Sequence, residues 1–136
     1  MKVDFLILAD GAQVAGDKLY VLGGGWTIVW ARDFPVIHGA AVAVGMMVEW
    51  PETNHKHSVE VALVTGDGQS VGEPLVRGDF EVGRPPGMPP GAAQRFMLAA
   101  GMSLSLDKPG AYEIVVRIDG TDMATAAFQA VQIART

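Results

Sequence analysis

Cysteine is absent from the 136 residues of this chain. A disulfide, a thiolate nucleophile and a cysteine-ligated metal are therefore excluded. The absence suits a reducing compartment, and we expect the protein to be cytoplasmic. Charged residues are also few, at 18% of the chain against about 25% in typical soluble domains. Because so little charge leaves apolar surface uncovered, we expect part of that surface to contact another copy of the chain in a homo-oligomer.

Basic runs and long hydrophobic runs are missing too. The net charge is −5 and no cluster of Lys or Arg occurs, which disfavours nucleic acid as a partner. The longest uncharged apolar-rich stretch, Val36–Val48, is shorter than the ~20 residues that a membrane-spanning helix needs. The apolar run FLILA near the start is too short for a signal peptide, and Asp4 and Asp10 bracket it. We therefore expect a soluble protein without a membrane partner.

Helical periodicity is lacking as well, and an alternation of apolar and polar residues takes its place. In AYEIVVRID, for example, Tyr112, Ile114 and Val116 share one face, which is typical of a strand buried on one side. The alanine-rich end is the one ambiguous segment, and its β-branched and aromatic residues favour a strand. The predicted strands cover residues 2–9, 18–31, 37–50, 57–65, 74–82, 94–106, 111–118 and 123–133.

Turn signals separate these strands at short intervals. Asp-Gly pairs at 10–11, 67–68 and 119–120, together with Gly16-Asp17, favour the positive φ angles of tight hairpins. Eight short strands without crossover helices predict one antiparallel β-sandwich over residues 1–136, immunoglobulin-like or jelly-roll-like. The Pro-Gly-x-Tyr pattern ending at Tyr112 favours the immunoglobulin-like form, in which the tyrosine hydroxyl bonds back to the chain just upstream.

Catalytic signatures are not found. Without cysteine, a nucleophile would have to be serine or threonine, and no serine lies in a Gly-x-Ser-x-Gly elbow. The segment GGGW at 23–26 is followed by strand-like residues, so we interpret it as a bend where a long strand changes sheets, rather than as a phosphate loop. Scattered carboxylates such as Asp4, Asp10, Asp79 and Glu81 show no sign of sharing a cleft. We therefore expect a protein that is not an enzyme and carries no cofactor.

Two histidines lie close together in WPETNHKHSVE. On an extended strand His55 and His57 would point the same way, and Glu52 and Asn54 lie nearby. A zinc or nickel site around Glu52, His55 and His57 is therefore the alternative function, although it needs a further ligand from elsewhere. His38 is the only other histidine in the chain. A solvated loop and strand edge explains the same residues without a metal.

Aromatic residues are sparse, at 7% of the chain, and two of the three tryptophans lie close together. Trp26 and Trp30 would share one strand face with Ile28 between them. That arrangement suits either a sugar-stacking platform or the filling of a core. Because aromatic residues dominate the cores of small domains, we predict core filling.

The segment EVGRPPGMPPG at 81–91 concentrates proline and glycine. Its glycines recur every four residues, so a collagen helix, which needs glycine at every third position, is excluded. Pro86 and Pro89 form a P-x-x-P motif, but Gly87 would break the polyproline helix that peptide-binding grooves recognise. We predict an ordered connection that packs on its own sheet or on a neighbouring copy. Its candidate interaction residues are Arg84, Pro85, Pro86, Met88, Pro89 and Pro90.

Two long stretches resemble a family of small bacterial all-β proteins of unknown function. They are VDFLILADGAQVAGDKLYVLGGGW and FEVGRPPGMPPGAAQRFMLAAGMSLSLDKPGAYEIVVRIDG, and the resemblance extends from residue 3 to about residue 128. It implies one compact all-β domain. It implies no activity, cofactor or catalytic residue, because none is assigned to that family.

Overall fold

The computed structural model describes residues 1–134, and these residues confirm the predicted all-β class. They form ten strands and one 3₁₀ helix, Trp50–Glu52, but no α-helix. The strands are β1 Lys2–Ala9, β2 Gly11–Ala15, β3 Lys18–Leu22, β4 Ile28–Ala31, β5 Val36–Val48, β6 Lys56–Thr65, β7 Val76–Glu81, β8 Gln94–Leu106, β9 Gly110–Ile118 and β10 Thr121–Gln132.

The strands are arranged in several sheets. A three-stranded sheet has the order β1-β5-β8, a five-stranded sheet has the order β4-β10-β9-β6-β7, and β2 pairs with β3 alone. All pairs are antiparallel except β10 with β4, which is parallel, so the prediction of a purely antiparallel fold is wrong at that pair. Buried side chains of the two larger sheets share one core, as Val44 and Leu104 do with Val61 and Ile114.

The alternation of apolar and polar residues explains how the strands face this core. In β8, Met102, Leu104 and Leu106 are buried, whereas Ser103 and Ser105 are exposed. Burying one such large apolar side chain contributes about 1.5–3 kcal/mol. The inward side of β8 is therefore determined by its sequence, and the strand spans the predicted residues 94–106.

The middle of the outward face of β5 consists of small residues, because a second layer covers it there. Ala41 and Ala43 point away from the core residues of β5 and are nevertheless 3% and 0% exposed. Strand β2 lies against both β5 and β8. Gly45 continues this small face, and a Cβ atom there would lie only 2.0 Å from the Phe5 ring. Strand β2 therefore lies against a strand whose outward side chains are small in the middle, and Gly45 leaves room for the Phe5 ring of β1.

The structure has ten strands where eight were predicted, because two connections differ. The predicted strand 18–31 is interrupted at residues 23–27, and its halves, β3 and β4, belong to different sheets. The glycine-rich segment thus carries the chain between sheets, as the sequence suggested. The pair Asp10-Gly11 forms no hairpin turn, since β1 pairs with β5 and β2 pairs with β3. It marks a bend before β2, a strand that was not predicted.

Other turn predictions are confirmed by backbone geometry. Gly16 and Asp17 have φ angles of 57° and 61° between β2 and β3, and Asp119 and Gly120 have 52° and 80° between β9 and β10. Two successive positive φ angles are the mark of a type I′ hairpin turn. The Tyr112 hydroxyl donates to the Lys108 carbonyl oxygen at 2.7 Å, which is the predicted link to the upstream chain.

Candidate interaction surface at the β4 edge

Strand β4 forms one edge of the five-stranded sheet. Among residues 1–134 it pairs only with β10, through contacts such as Gln129 N–H to the Thr27 carbonyl at 2.9 Å and Ile133 N–H to the Ala31 carbonyl at 2.8 Å. Backbone groups along a strand point alternately to its two sides. Those of Ile28 and Trp30 therefore point away from β10. Within residues 1–134 no strand pairs with that side of β4, so it offers donors and acceptors to an added strand.

The same edge exposes large apolar side chains. Ile28 is 41% exposed and Trp30 is 59% exposed, while Val29 between them is 2% exposed and lies in the core. Ile133, which follows β10, is 40% exposed beside them. We call these three side chains, Ile28, Trp30 and Ile133, together with the outer backbone of β4, the β4 edge surface. The prediction that Trp30 fills the core is therefore wrong.

The reason for this error is local. Strand β4 begins at Ile28, and Trp26 lies in the irregular segment before it, so the two tryptophans do not share a continuous alternation. Val29 faces the core instead. Trp26 is half-buried and packs against the core from the side. Trp26 thus fills the core in part, and Trp30 does not.

An open cleft of 380 Å³ lies beside the β4 edge surface. The Trp26 ring in its wall stands edge-on to the His38 ring at a centroid distance of 6.0 Å and to the Phe128 ring at 5.9 Å. These two perpendicular contacts hold the Trp26 ring in one orientation. The cleft is lined by Asp10, Trp26, Ile28, Val29, Trp30 and His38.

Backbone contacts and a glycine place Asp10 at this cleft. Its N–H group donates to the carbonyl oxygens of Leu22 at 3.0 Å and Gly23 at 3.1 Å. A Cβ atom at Gly23 would lie 2.4 Å from Asp10 Oδ2, and the φ angle of Gly23 is +60°. Glycine therefore leaves the room that the carboxylate occupies. Within residues 1–134 the carboxylate forms no hydrogen bond or ion pair.

His57 occupies a different place, beneath the Asp119-Gly120 turn. Its Nδ1 lies 2.8 Å from Asp119 Oδ2, and its Nε2 lies 2.8 Å from the Glu52 carbonyl oxygen. Both neighbours are acceptors, so both ring nitrogens donate and the ring is held as an imidazolium. The hydrogen bond to the Glu52 carbonyl, followed by that to Asp119, raises the pKa of His57 above its usual value. The hydrogen bond from His57, followed by that from the Ser58 N–H, lowers the pKa of Asp119.

The residues of the alternative metal site have separate environments. His55 is exposed and lies in the bend before β6, whereas His57 is buried with both nitrogens engaged, so the two do not share a strand face. The Glu52 carboxylate accepts a hydrogen bond from the N-terminal ammonium of Met1 at 2.9 Å. Across residues 1–134, no cluster of three or more His, Asp or Glu side chains is suited to hold a metal ion. His38 lies at the β4 cleft instead.

Arg84, the first candidate residue of the proline-rich loop, anchors that loop. Its guanidinium carbon lies 4.0 Å from the centre of the Trp50 ring, which is a cation–π contact. Its Nε donates to Thr53 Oγ1 at 2.6 Å, and its Nη2 donates to the Trp50 carbonyl oxygen at 2.9 Å. The guanidinium is therefore engaged with the 3₁₀ helix. Its evident role is to position the chain that follows.

The proline-rich loop consists of two consecutive turns. The first, at residues 85–88, closes with a hydrogen bond of 3.2 Å, and the second, at 89–92, closes with one of 3.1 Å. Each has proline second and a glycine third, with φ of 91° at Gly87 and 83° at Gly91, as in type II turns. Because the chain turns at each glycine, the P-x-x-P motif does not form a polyproline helix. Met88 is half-buried, and the other candidate interaction residues are exposed: Arg84, Pro85, Pro86, Pro89 and Pro90.

The remaining chemical candidates are scattered over the surface. Asp4 forms an ion pair with Arg95 at 2.8 Å, and Asp79 and Glu81 are exposed on β7. The helical part of residues 1–134 contains no segment that is long and apolar enough to span a membrane.

Fold and surface together define an all-β protein in which three exposed apolar side chains, Ile28, Trp30 and Ile133, lie at one sheet edge with an open cleft beside it, while others, such as Leu22 and Ile37, lie elsewhere. The chain belongs to a family of unknown function (DUF6941), whose family model matches residues 4–131. The resemblance to a family of unknown function is thereby confirmed.

Comparisons with curated proteins and solved structures do not indicate a function. No curated protein matches the chain. Among solved structures, it is similar to Pseudomonas fluorescens alkylpurine DNA glycosylase AlkC bound to DNA containing an abasic site analog, with a TM-score of 0.42 and 12% identity. The likeness covers 76% of this chain and 27% of the glycosylase chain. At this TM-score it supports no argument about function.

Asp10 and His38 were not connected with the tryptophans by sequence reasoning. Asp10 comes from the end of β1, His38 from β5 and Trp30 from β4, and no local spacing links these strands. One signal was available. Three glycines before Trp26 indicated a place where the backbone approaches another group closely, and in the structure Gly23 adjoins the Asp10 carboxylate.

Proposed function

We propose that this protein is a non-catalytic interaction module that self-associates through the β4 edge surface. The observation that carries the proposal is the coincidence of two properties in one strand. The outer backbone of β4 lacks a partner strand within residues 1–134, and its outward side chains Ile28 and Trp30 are large, apolar and exposed. An edge with both properties favours the addition of another strand.

A second copy of the chain supplies a suitable strand. Most homodimers are two-fold symmetric, and a two-fold axis makes two β4 strands run antiparallel. With Val29 at the axis, Ile28 of one copy lies opposite Trp30 of the other. Both residues have outward backbone groups, so they form a hydrogen-bonded pair. The pairing satisfies the edge backbone and brings both side chains into cross-strand contact in one step.

Light scattering over a dilution series tests the proposal. We expect a mass above the 14.3 kDa of one chain in concentrated samples, falling toward that value on dilution. Trp30→Ser removes the largest contact of the β4 edge surface, so association should weaken by about 2 kcal/mol or more, which is roughly thirtyfold in Kd.

Tyr20→Ser provides the matched control. Tyr20 is 57% exposed, close to the 59% of Trp30, but it lies on β3 in the separate hairpin. This change should leave association unaltered. A mass of 14.3 kDa at every concentration would contradict the proposal, and equal weakening by both substitutions would contradict the assignment to β4.

The remaining expectations from the sequence concern cellular location, catalysis, the type of sandwich and a metal site. Cysteine is absent and no nucleophile motif occurs, which supports a cytoplasmic, non-catalytic protein. An immunoglobulin-like or jelly-roll-like sandwich as the scaffold stays a prediction. The zinc or nickel site around Glu52, His55 and His57 also stays a prediction, which elemental analysis of protein purified without a histidine tag would test.

A further inference from the structure

We infer that the cleft beside β4 is a binding site for a small organic cation. The cleft combines one carboxylate, Asp10, with three aromatic rings, those of Trp26, Trp30 and His38. Its volume of 380 Å³ lies in the range of about 300–1,000 Å³ that is usual for small-molecule sites. This inference goes beyond the proposed self-association and does not rest on it.

The charge of the cleft favours a cation. The Asp10 carboxylate has no hydrogen-bond or ion-pair partner within residues 1–134, and neither Lys nor Arg is among the residues that line the cleft. The chain as a whole carries a net charge of −5, so an anion would also be repelled at longer range. Asp10 is exposed, so a bound cation would take the place of water at its carboxylate.

The aromatic walls favour an organic cation over a metal ion. The face of an indole ring is electron-rich and attracts ammonium groups within about 6 Å, and tryptophan is the strongest residue in this respect. A divalent metal requires three or four ligand atoms from the protein, whereas here one carboxylate and one imidazole line the cleft. Methylated ammonium groups suit such a site, because their methyl groups contact the ring faces and Ile28.

The walls are held in position before any ligand arrives. The Trp26 ring stands perpendicular to the rings of His38 and Phe128, and the backbone of Asp10 is held by N–H bonds to the carbonyl oxygens of Leu22 and Gly23. A site that is already organised loses less conformational freedom on binding. The Trp30 side chain, at 59% exposed, has room to close over a ligand.

Choline and its uncharged carbon isostere, 3,3-dimethylbutan-1-ol, are the probes. Binding is followed by tryptophan fluorescence and by calorimetry at low salt. We expect saturable binding of choline and at least about fivefold weaker binding of the isostere, which has the same shape without the charge. Asp10→Asn should weaken choline binding about five- to tenfold and leave the affinity for the isostere unchanged.

Asp17→Asn is the matched control for the loss of one negative charge. Asp17 is exposed in the β2–β3 turn at a φ of 61°, which asparagine tolerates equally well. Choline affinity should be unaltered in this variant. Circular dichroism and thermal unfolding establish that the Asp10 and Asp17 variants are both folded.

Self-association through the β4 edge surface would cover Ile28 and Trp30 in the cleft, so the titration is repeated on Ile133→Ser. Ile133 belongs to the β4 edge surface but does not line the cleft. If the protein proves monomeric, the cleft is open and the choline result stands by itself. Equal affinity for choline and the isostere, an unchanged affinity in Asp10→Asn, or no saturable choline binding in either the natural protein or Ile133→Ser would overturn the inference.

Discussion

The five-stranded sheet has two edges, β4 and β7, and they are built in opposite ways. Strand β7 is antiparallel to its neighbour β6 over six residues and carries exposed charges such as Arg77 and Asp79. Strand β4 is parallel to β10 over four residues and exposes Ile28 and Trp30. The aromatic residue of β7, Phe80, is 9% exposed, whereas that of β4, Trp30, is 59% exposed.

Charge and anchoring explain the difference. Charged side chains on an edge strand oppose pairing with another chain, and β7 has them. Beyond β7, Arg84 ties the chain to the 3₁₀ helix through Trp50 and Thr53. Strand β4 lacks charged residues altogether. One edge of the sheet is thus protected against association, and the other is available for it.

Phe80→Ala should have the largest effect on stability. The ring stacks on Phe96 at a centroid distance of 4.4 Å and lies 5.4 Å from the His57 ring, so truncation leaves a cavity between the sheets. We expect the free energy of unfolding to fall by about 3–5 kcal/mol, measured by urea denaturation. Trp30→Ala, the same kind of truncation on the other edge, should cost less than about 1 kcal/mol. Similar losses at the two positions would show that the edges do not differ as described.

Deprotonation of His57 should have the next largest effect on the free energy of unfolding. The effect is confined to the β7 edge, because His57 lies beside β7. His57 is opposite Phe80 in the β6–β7 ladder and donates to Asp119 and to the Glu52 carbonyl. Because its pKa is raised in the folded state, its stabilisation is complete below about pH 6.5, the unfolded value. This contribution is lost as the pH rises through the raised folded pKa. The unfolding free energy should therefore decrease as the pH rises above about 6.5.

Asp119 determines how stability changes at the acid end of the same pH range. Its pKa is lowered, so its contribution is present above about pH 4, the unfolded value, and is lost as the pH falls through the folded pKa. Asp119→Asn should cost about 1–3 kcal/mol near pH 6 and reduce the decrease that accompanies deprotonation of His57. Urea midpoints between pH 5 and about pH 9 measure both effects. An unaltered pH profile in this variant would refute the imidazolium assignment.

Arg84→Ala should have an intermediate effect. It removes two hydrogen bonds and the cation–π contact with Trp50, for which we expect a loss of about 1–2 kcal/mol. Arg77→Ala is the matched change on β7 itself. Arg77 is exposed and pairs with Glu60 at 3.3 Å and Glu73 at 3.9 Å, and such surface pairs contribute about 0–1 kcal/mol.

Proteolysis provides a second measurement for Arg84. Loss of its anchor should increase cleavage within the two turns at 85–92, while Arg77→Ala should leave cleavage there unaltered. Equal stability and equal cleavage in the two arginine variants would contradict the anchoring role.

The contrast between the two edges was only half predictable from the sequence. Strand β8 matches its prediction because Met102 and Leu104 alternate with serines, so one face alone is suited to the core. In β4 the residues Ile28, Val29 and Trp30 are all apolar, and alternation cannot tell which side faces inward. Tertiary packing placed Val29 inside.

The polar residues show the same limit of prediction from the sequence. His57 lies among polar residues and suggested a surface or a metal ligand, yet its partner Asp119 is 62 residues away along the chain. The proline-rich loop behaved differently, since its four-residue glycine spacing matches the repeat of its two turns. Local turns could be anticipated from the sequence except at Asp10-Gly11, whereas contacts between distant strands could not.

Placing one lysine on each edge should have the smallest effect on stability and gives the sharpest comparison of function. Trp30→Lys and Asp79→Lys both alter exposed side chains, so each should change the unfolding free energy by less than about 0.5 kcal/mol.

Sedimentation velocity should nevertheless distinguish the two lysine variants by their association. Trp30→Lys places a charge at the centre of the proposed β4 pairing and should leave a monomer. Asp79→Lys only exchanges one charge for another on an edge that is already protected, so its association should equal that of the natural protein. Association that is lost on changing β7, or that survives a charge on β4, would assign the contact to a different face of the molecule.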